Sequence, residues 1–259
     1  MLVDSHCHLN LLDSIKDGGS LDEVLLAAAQ NSVEHMLCVG VDKDSWPGMM
    51  ALVEGRRQVS ASVGVHPNDP PGDEPDEAWL QAGAAHPQVV AIGETGLDYY
   101  RTDGDTGFQR ERFRTHIRAA RACGLPLIIH TRAARDDTLQ VMREEGAEHV
   151  GGVMHCFTED WEMAKAAIDM GFMISFSGIV TFKTAAALQD VARRVPERHL
   201  LVETDSPWLA PIPFRGKPNQ PAWVRHVAEF VAELRGLSVE EVAETTTSNY
   251  DRVFGRWKD

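Results

Sequence analysis

Cysteine is scarce and scattered in this chain: Cys7, Cys38, Cys123 and Cys156 include no C-x-x-C pair. That excludes a cysteine-built zinc finger or a dithiol redox motif and leaves the thiols as small packed hydrophobes. Long apolar runs are missing as well. No stretch approaches the ~20 residues a membrane span needs, and the opening has neither a basic region followed by an apolar block nor a cleavage-like site. The expectation is a cytoplasmic protein without membrane association. Positive charge is short too: 25 Lys and Arg against 39 Asp and Glu give a net charge of −14. With no basic run, the chain is poorly suited to wrapping a long duplex. An enzyme gripping a few phosphates is not excluded, because bound divalent cations reverse the potential within a site. No Pro-, Gly- or Ser-rich linker divides the 259 residues, so they read as one domain, 1–259. Nothing marks an obligate protein partner.

What is present is alternation. Short runs rich in Val, Ile, Leu and Met predict eight strands, Leu2 to His6, Val33 to Gly40, Val59 to His66, Val89 to Glu94, Leu127 to His130, Gly152 to His155, Phe172 to Ser175 and Leu200 to Asp205. Amphipathic stretches separate them. Ser20 with Glu23 and Ser238 with Glu241 read as capping boxes, and Gly124, Gly146 and Gly171 stand where helices end before the next strand. Eight strand–helix units in about this length predict an α/β fold, a single (β/α)8 barrel. Asn68 to Pro75 is a Pro- and Asp-rich surface loop.

The ends of the strands carry the chemistry. In VDSHCHL, alternation puts His6 and His8 on one side of a strand and Cys7 on the other, so the two imidazoles can share one ion. Glu94, His130, His155 and Asp205 end strands four, five, six and eight. In a parallel barrel all these ends lie on one rim, the rim where active sites of this architecture occur. A lone histidine there is more often a hydrogen-bonded structural residue. Four histidines and two carboxylates on one rim would instead be a costly polar cluster unless they hold metal. Six ligand side chains exceed one tetrahedral ion and predict two divalent metal ions. Glu94, central in strand order, is placed to bridge them. One ion would take His6, His8, Glu94 and Asp205, and the other Glu94, His130 and His155. Imidazole with carboxylate suits Zn, Mn or Fe, with Mg where water completes the shell. Such a pair hydrolyses esters, phosphate esters in particular, with Asp205 as general base. His66, before a proline, is a substrate contact or a donor to a ligand. His35, His86, His116, His149, His199 and His226 read as surface or structural residues.

The stretches DSHCHL, GVHP, IGETGLDYY, PLIIHTR, HCFT, SFSGIVTFK, ETDSPWLAP, RGKPNQP and SNYDRVFG, in this order, resemble the TatD family of metal-dependent deoxyribonucleases. The resemblance spans nearly the whole chain. It implies a barrel, a two-metal site with the same six ligands, and 3′ exonuclease-like activity on DNA ends, often with magnesium. It also marks Arg215, Lys217 and Asn219, after strand eight, as substrate-binding, and Tyr99 and Tyr100 can stack on a base. The chain departs from the family pattern at Asn68, Glu159 and Gln220, where a histidine, a glycine and an acidic residue are usual. None of the three is a ligand, so the departures bear on substrate preference. Two other readings compete. One is hydrolysis of a carboxylic ester or amide, such as an aminoacyl ester on RNA, though the lysine with which some related barrels bridge their metals is absent beside Glu94. The other is a non-catalytic metal-binding protein, which would need no base at Asp205.

Overall fold

A computed structural model describes residues 1–102 and 105–255. Its eight strands are β1 (Leu2–Cys7), β2 (Val33–Cys38), β3 (Val59–Val63), β4 (Val89–Asp98), β5 (Leu127–Arg132), β6 (Gly152–Met154), β7 (Phe172–Phe176) and β8 (Leu200–Val202). They pair in sequence order, every neighbour parallel. A bridge between Cys7 and Ser206 brings β8 back to β1, with the His8 N–H donating to the Ser206 carbonyl at 2.9 Å and the Asp205 N–H to that of His6 at 2.9 Å. The barrel is thus fastened at the rim that carries the candidate ligands. Among the described residues no helix is long and apolar enough to cross a membrane.

Both faces of the strands are covered, which is why they read as near-continuous apolar runs. The larger cluster lies between strands and helices and includes Leu2, Cys38, Ile92 and Phe113. A smaller one fills the barrel with Val3, Leu37, Val90, Ile128, Met173 and Leu201, and is closed below by Tyr250 and Phe254 of the last helix, Val239–Phe254. The expected caps are present in different degrees. Ser238 and Glu241 form the full reciprocal box, whereas the Ser20 hydroxyl accepts from the Asp22 N–H alone. Gly124, Gly146 and Gly171 all have left-handed φ.

The strand boundaries shift for local reasons. β1 breaks register between Asp4 and Cys7, a bulge that changes which side chains face inward. Val3 and His6, an odd number apart, can therefore both face the barrel interior, which unbroken alternation forbids. β8 stops at Val202 because the Asp4 carboxylate, not a neighbouring strand, receives the Thr204 N–H at 2.8 Å and the Thr204 hydroxyl at 2.6 Å. β4 runs four residues past the expected end at Glu94, pairing Thr95 through Asp98 with Ile129 through Arg132. Gly96 permits that approach: its φ is +136°, and a Cβ there would stand 2.0 Å from the His130 carbonyl oxygen.

Candidate metal centre

Glu94 sits at the centre of the rim and is 2 % exposed. One oxygen, Oε1, lies 2.7 Å from His155 Nε2, 3.2 Å from His130 Nδ1 and 3.3 Å from His66 Nε2. The other, Oε2, lies 3.4 Å from His6 Nε2 and 3.8 Å from His8 Nε2. Asp205 Oδ1 closes that second group at 3.4 Å from His8 and 3.8 Å from His6. Two ligands each ~2.1 Å from a tetrahedral ion stand roughly 3.4 Å apart. The pairs at 3.2 to 3.8 Å are spaced as a shared cation would require, while His155 and Glu94 at 2.7 Å are in direct hydrogen-bond contact. His6 Nε2 and His8 Nε2 are only 3.1 Å apart, a contact that two lone pairs tolerate only with a proton or a cation between them. The residues present fit a pair of divalent ions sharing Glu94.

Three of the four imidazoles expected as ligands are turned by a partner on the far nitrogen, and among the described residues His6 Nδ1 has none. His8 Nδ1 faces the Val39 carbonyl at 3.1 Å, His130 Nε2 the Asp98 carboxylate at 3.2 Å, and His155 Nδ1 that of Glu203 at 3.3 Å. A proton on each of these nitrogens leaves the opposite lone pair aimed at the centre. His66 is arranged the other way. The Asn68 N–H donates to His66 Nδ1 at 3.0 Å, so the proton of the neutral ring is on Nε2, facing Glu94. In that tautomer His66 is a donor to Glu94 and not a ligand, although its position beside Glu94 and His130 is one a ligand would occupy. Asn68, one of the departures from the family pattern, thus orients a ring of the centre, and its amide also donates to Asp98 at 2.8 Å.

Burial acts against charge throughout the cluster. It opposes ionisation of Glu94, yet the positive field and hydrogen bonds of His155, His66 and His130 hold this carboxyl well below the usual carboxylate range. Asp205 is lowered in the same way by His8 and His6. Burial also disfavours imidazolium, but Glu94 and Glu203 raise His155 well above the ordinary value; Asp98 with Glu94 raises His130, and Asp205 with Glu94 raises His8. For His6 and His66 burial wins and the shift is downward. Asp205 has a left-handed φ of 54°, a strained backbone for a residue other than glycine, of the kind concentrated at functional sites.

Two carboxylates that sequence reasoning did not single out belong to the centre. Glu203 is fully buried, and its Oε1 accepts from the Cys156 N–H at 2.6 Å besides facing His155, while its Oε2 has no partner among the described residues. Asp98 holds His130 and the Tyr100 and Arg101 N–H groups. Even spacing was the available signal: Glu203 stands two before Asp205, and Asp98 four after Glu94.

The expected substrate contacts fare unevenly. The centre opens into a cavity of ≈ 760 Å³ lined by His8, His66, Glu94, His130, His155 and Asp205; His6 lies beneath it, fully buried. Tyr99 turns away from the cavity, its hydroxyl donating to Asp137 at 2.7 Å and accepting from Arg110 at 2.8 Å. Tyr100 is 69 % exposed, with the Arg132 guanidinium 3.9 Å from its ring centre. Arg215 is drawn onto Phe182 and Lys217 onto Phe214, and neither lines the cavity. Asn219 is a fastener and not a substrate contact: it is 2 % exposed and its amide donates to the Thr204 and Trp208 carbonyls at 2.9 and 2.6 Å. A polar residue in a Pro- and Gly-containing loop reads as solvated, and only the fold shows that its amide replaces strand pairing beyond β8.

The chain matches the TatD related DNase family over residues 3–255. It is 52 % identical over 256 residues to the metal-dependent hydrolase YcfH of Escherichia coli (strain K12), covering 98 % of this chain and 95 % of that one. It is 44 % identical over 255 residues to the metal-dependent hydrolase YabD of Bacillus subtilis (strain 168), covering 98 % and 99 %. Among solved structures, the TatD homologue YjjV of Escherichia coli superposes with a TM-score of 0.90 at 26 % identity, covering 98 % of both chains. Matched from its first strand to its last helix, and with its histidines and carboxylates converging on one rim, this chain belongs to the TatD family of metal-dependent hydrolases.

Proposed function

We propose that this hydrolase cleaves phosphodiester bonds at DNA ends, as a 3′–5′ exonuclease using two divalent cations. One observation carries the reading: two sets of donor atoms meet on the two oxygens of Glu94, at the floor of a cavity of ≈ 760 Å³. His6, His8, Asp205 and Glu94 would hold one ion, and His130, His155 and Glu94 the other; zinc, manganese and magnesium all suit such donors. A bound pair would supply Lewis acidity and a nucleophile at neutral pH, the combination suited to phosphate esters. Asp205 has the position of the general base. It is the ligand on the last strand's loop, its side chain is 13 % exposed to the cavity, and His8 and His6 hold it ionised, the form a proton acceptor must have. His66, with its proton on Nε2, keeps Glu94 oriented. Trp208, edge-on to His8 at 5.2 Å and 50 % exposed, offers a face on which a terminal base can stack.

Purified chain with Mg²⁺, Mn²⁺ or Zn²⁺ is expected to shorten single-stranded DNA from its 3′ end. Asp205→Asn should lower the rate ~10³-fold with an unchanged circular dichroism spectrum. Full activity in that variant would remove Asp205 from the mechanism. Metal-loaded wild type that leaves DNA intact while hydrolysing a carboxylic ester would overturn the nuclease reading.

A further inference from the structure

The cavity above the metal centre is not electrostatically uniform. Its β2 and β3 side carries Asp42 and Asp69, while its β4 and β5 side carries Arg101 and Arg132. Arg132 follows His130 by two residues on β5, so alternation sends its side chain to the same face. Its guanidinium lies 3.9 Å over the Tyr100 ring. That contact holds the group while leaving its N–H edge open, the edge that forks onto an oxyanion. Arg101 is placed by the same carboxylate that orients His130, its N–H donating to Asp98 Oδ1 at 3.1 Å. Among the described residues neither arginine has a carboxylate partner within ion-pair distance, whereas Arg110, Arg112, Arg114, Arg118 and Arg135 all have one. In a chain of net charge −14, two guanidiniums that line one cavity without an ion-pair partner among the described residues offer an anion a place to bind.

We propose that Arg101 and Arg132 form a second phosphate subsite, taking the phosphate next to the scissile one; this rests on the nuclease reading. The opposite wall, Ile179, Trp208 and Leu209, is apolar and takes sugar and base. The preferred substrate is then an oligonucleotide with at least two phosphates, and the gripping cations come from the loop after β4 and the end of β5. The loop after β8 holds its own cations, Arg215 and Lys217, on Phe182 and Phe214.

The test is equilibrium binding of a fluorescent, phosphorothioate-linked oligothymidylate, resistant to cleavage, to the full Mn²⁺-loaded chain. Arg101→Gln and Arg132→Gln should each weaken binding about tenfold, as loss of a charge-assisted contact implies, and lower the log–log salt slope by roughly 0.7. Arg132→Lys, retaining charge but not the fork, should fall between wild type and Arg132→Gln. Arg118→Gln, the same charge change on the outer helix, should stay within about twofold. Arginine variants that bind like wild type or like Arg118→Gln overturn the subsite, as does wild type that fails to bind. DNA cleavage by the same preparations reads the parent proposal separately. Arginine-dependent binding without cleavage keeps the subsite and removes the nuclease, and cleavage with arginine-independent binding does the reverse.

Discussion

The two ends of this barrel bury polar groups under opposite conditions. At the lower end, His35 is 2 % exposed, bonds the Ser60 hydroxyl at 2.9 Å and meets the Tyr250 ring edge-on at 5.6 Å; burial is the largest influence on it and keeps it neutral. At the upper rim, five histidines and four carboxylates, Glu94, Asp98, Glu203 and Asp205, converge within a few ångströms. At the lower end burial outweighs the Asp251 carboxylate, which favours the charged ring. The upper end is arranged for charge from outside, and breaking its hub should have the largest effect. Glu94→Gln removes the carboxylate that both groups of histidines face, so the metal content measured by elemental analysis should fall below that of wild type. Hydrolysis should fall ~10⁴-fold, equivalent to ~5.5 kcal/mol of barrier. The melting temperature of the metal-free protein should fall as well, since Glu94 is the carboxylate that offsets His155 and His130 in this buried cluster. Retained stoichiometry in that variant would dissolve the contrast between the ends.

The converse experiment breaks the lower end. Phe254, 1 % exposed, packs against Tyr250 inside the barrel with ring centres 4.9 Å apart. Phe254→Ala should cost about 3–5 kcal/mol in denaturant unfolding, from lost burial plus the cavity left behind. Metal stoichiometry should remain that of wild type. A variant that lost its ions without losing stability would show that the ends are coupled.

A smaller effect separates the ends by pH. Burial lowers His35 to about 4, so between its unfolded value and there the unfolded chain binds a proton that the folded chain does not. The stabilisation is therefore complete above pH ~6.5 and is lost as pH falls toward 4, amounting to about 3 kcal/mol. Urea unfolding of wild type and His35→Gln across this range should show a slope that the variant lacks. Parallel pH profiles would remove His35 from the account.

The sequence displayed the upper end better than the lower one. His6, His8, Glu94, His130, His155 and Asp205 were visible because each ends an apolar run, and a parallel barrel gathers such ends. Arg101, Asp98 and Glu203 were hidden because a charge near a strand end is indistinguishable from a solvated one until its neighbours are known. Strand order also suggested how the ligands divide; the donor atoms group His6 and His8 with Asp205, His130 and Glu94 with His66, and His155 with His6 and Glu203. What strand order could not supply was the β1 bulge, the early end of β8, which depends on an Asp4–Thr204 contact across 200 residues, and the tautomer of His66, which depends on one backbone N–H. The lower end escaped for a related reason. His35 in a strand and Tyr250 in a helix match their neighbours in hydropathy too loosely to announce that they meet.

Glu203 gives the smallest and most specific test of the upper end. Its Oε1 accepts from Cys156 N–H and faces His155 Nδ1, so its hydrogen bonds act on the centre by positioning His155, although it also lies beside His6. In Glu203→Gln the new amide oxygen could still accept the Cys156 N–H, but the side chain could no longer act as an anion toward the imidazole, leaving His155 a weaker and less firmly oriented donor. The substitution should therefore weaken metal binding or activity by about 10–100-fold, as loss of an outer partner typically does. The loss should appear in metal affinity, with kcat largely restored at saturating metal, and Glu203→Asp should recover part of it. A purely structural role predicts lower stability with unchanged metal affinity, and calorimetric metal titration of the two variants decides between them.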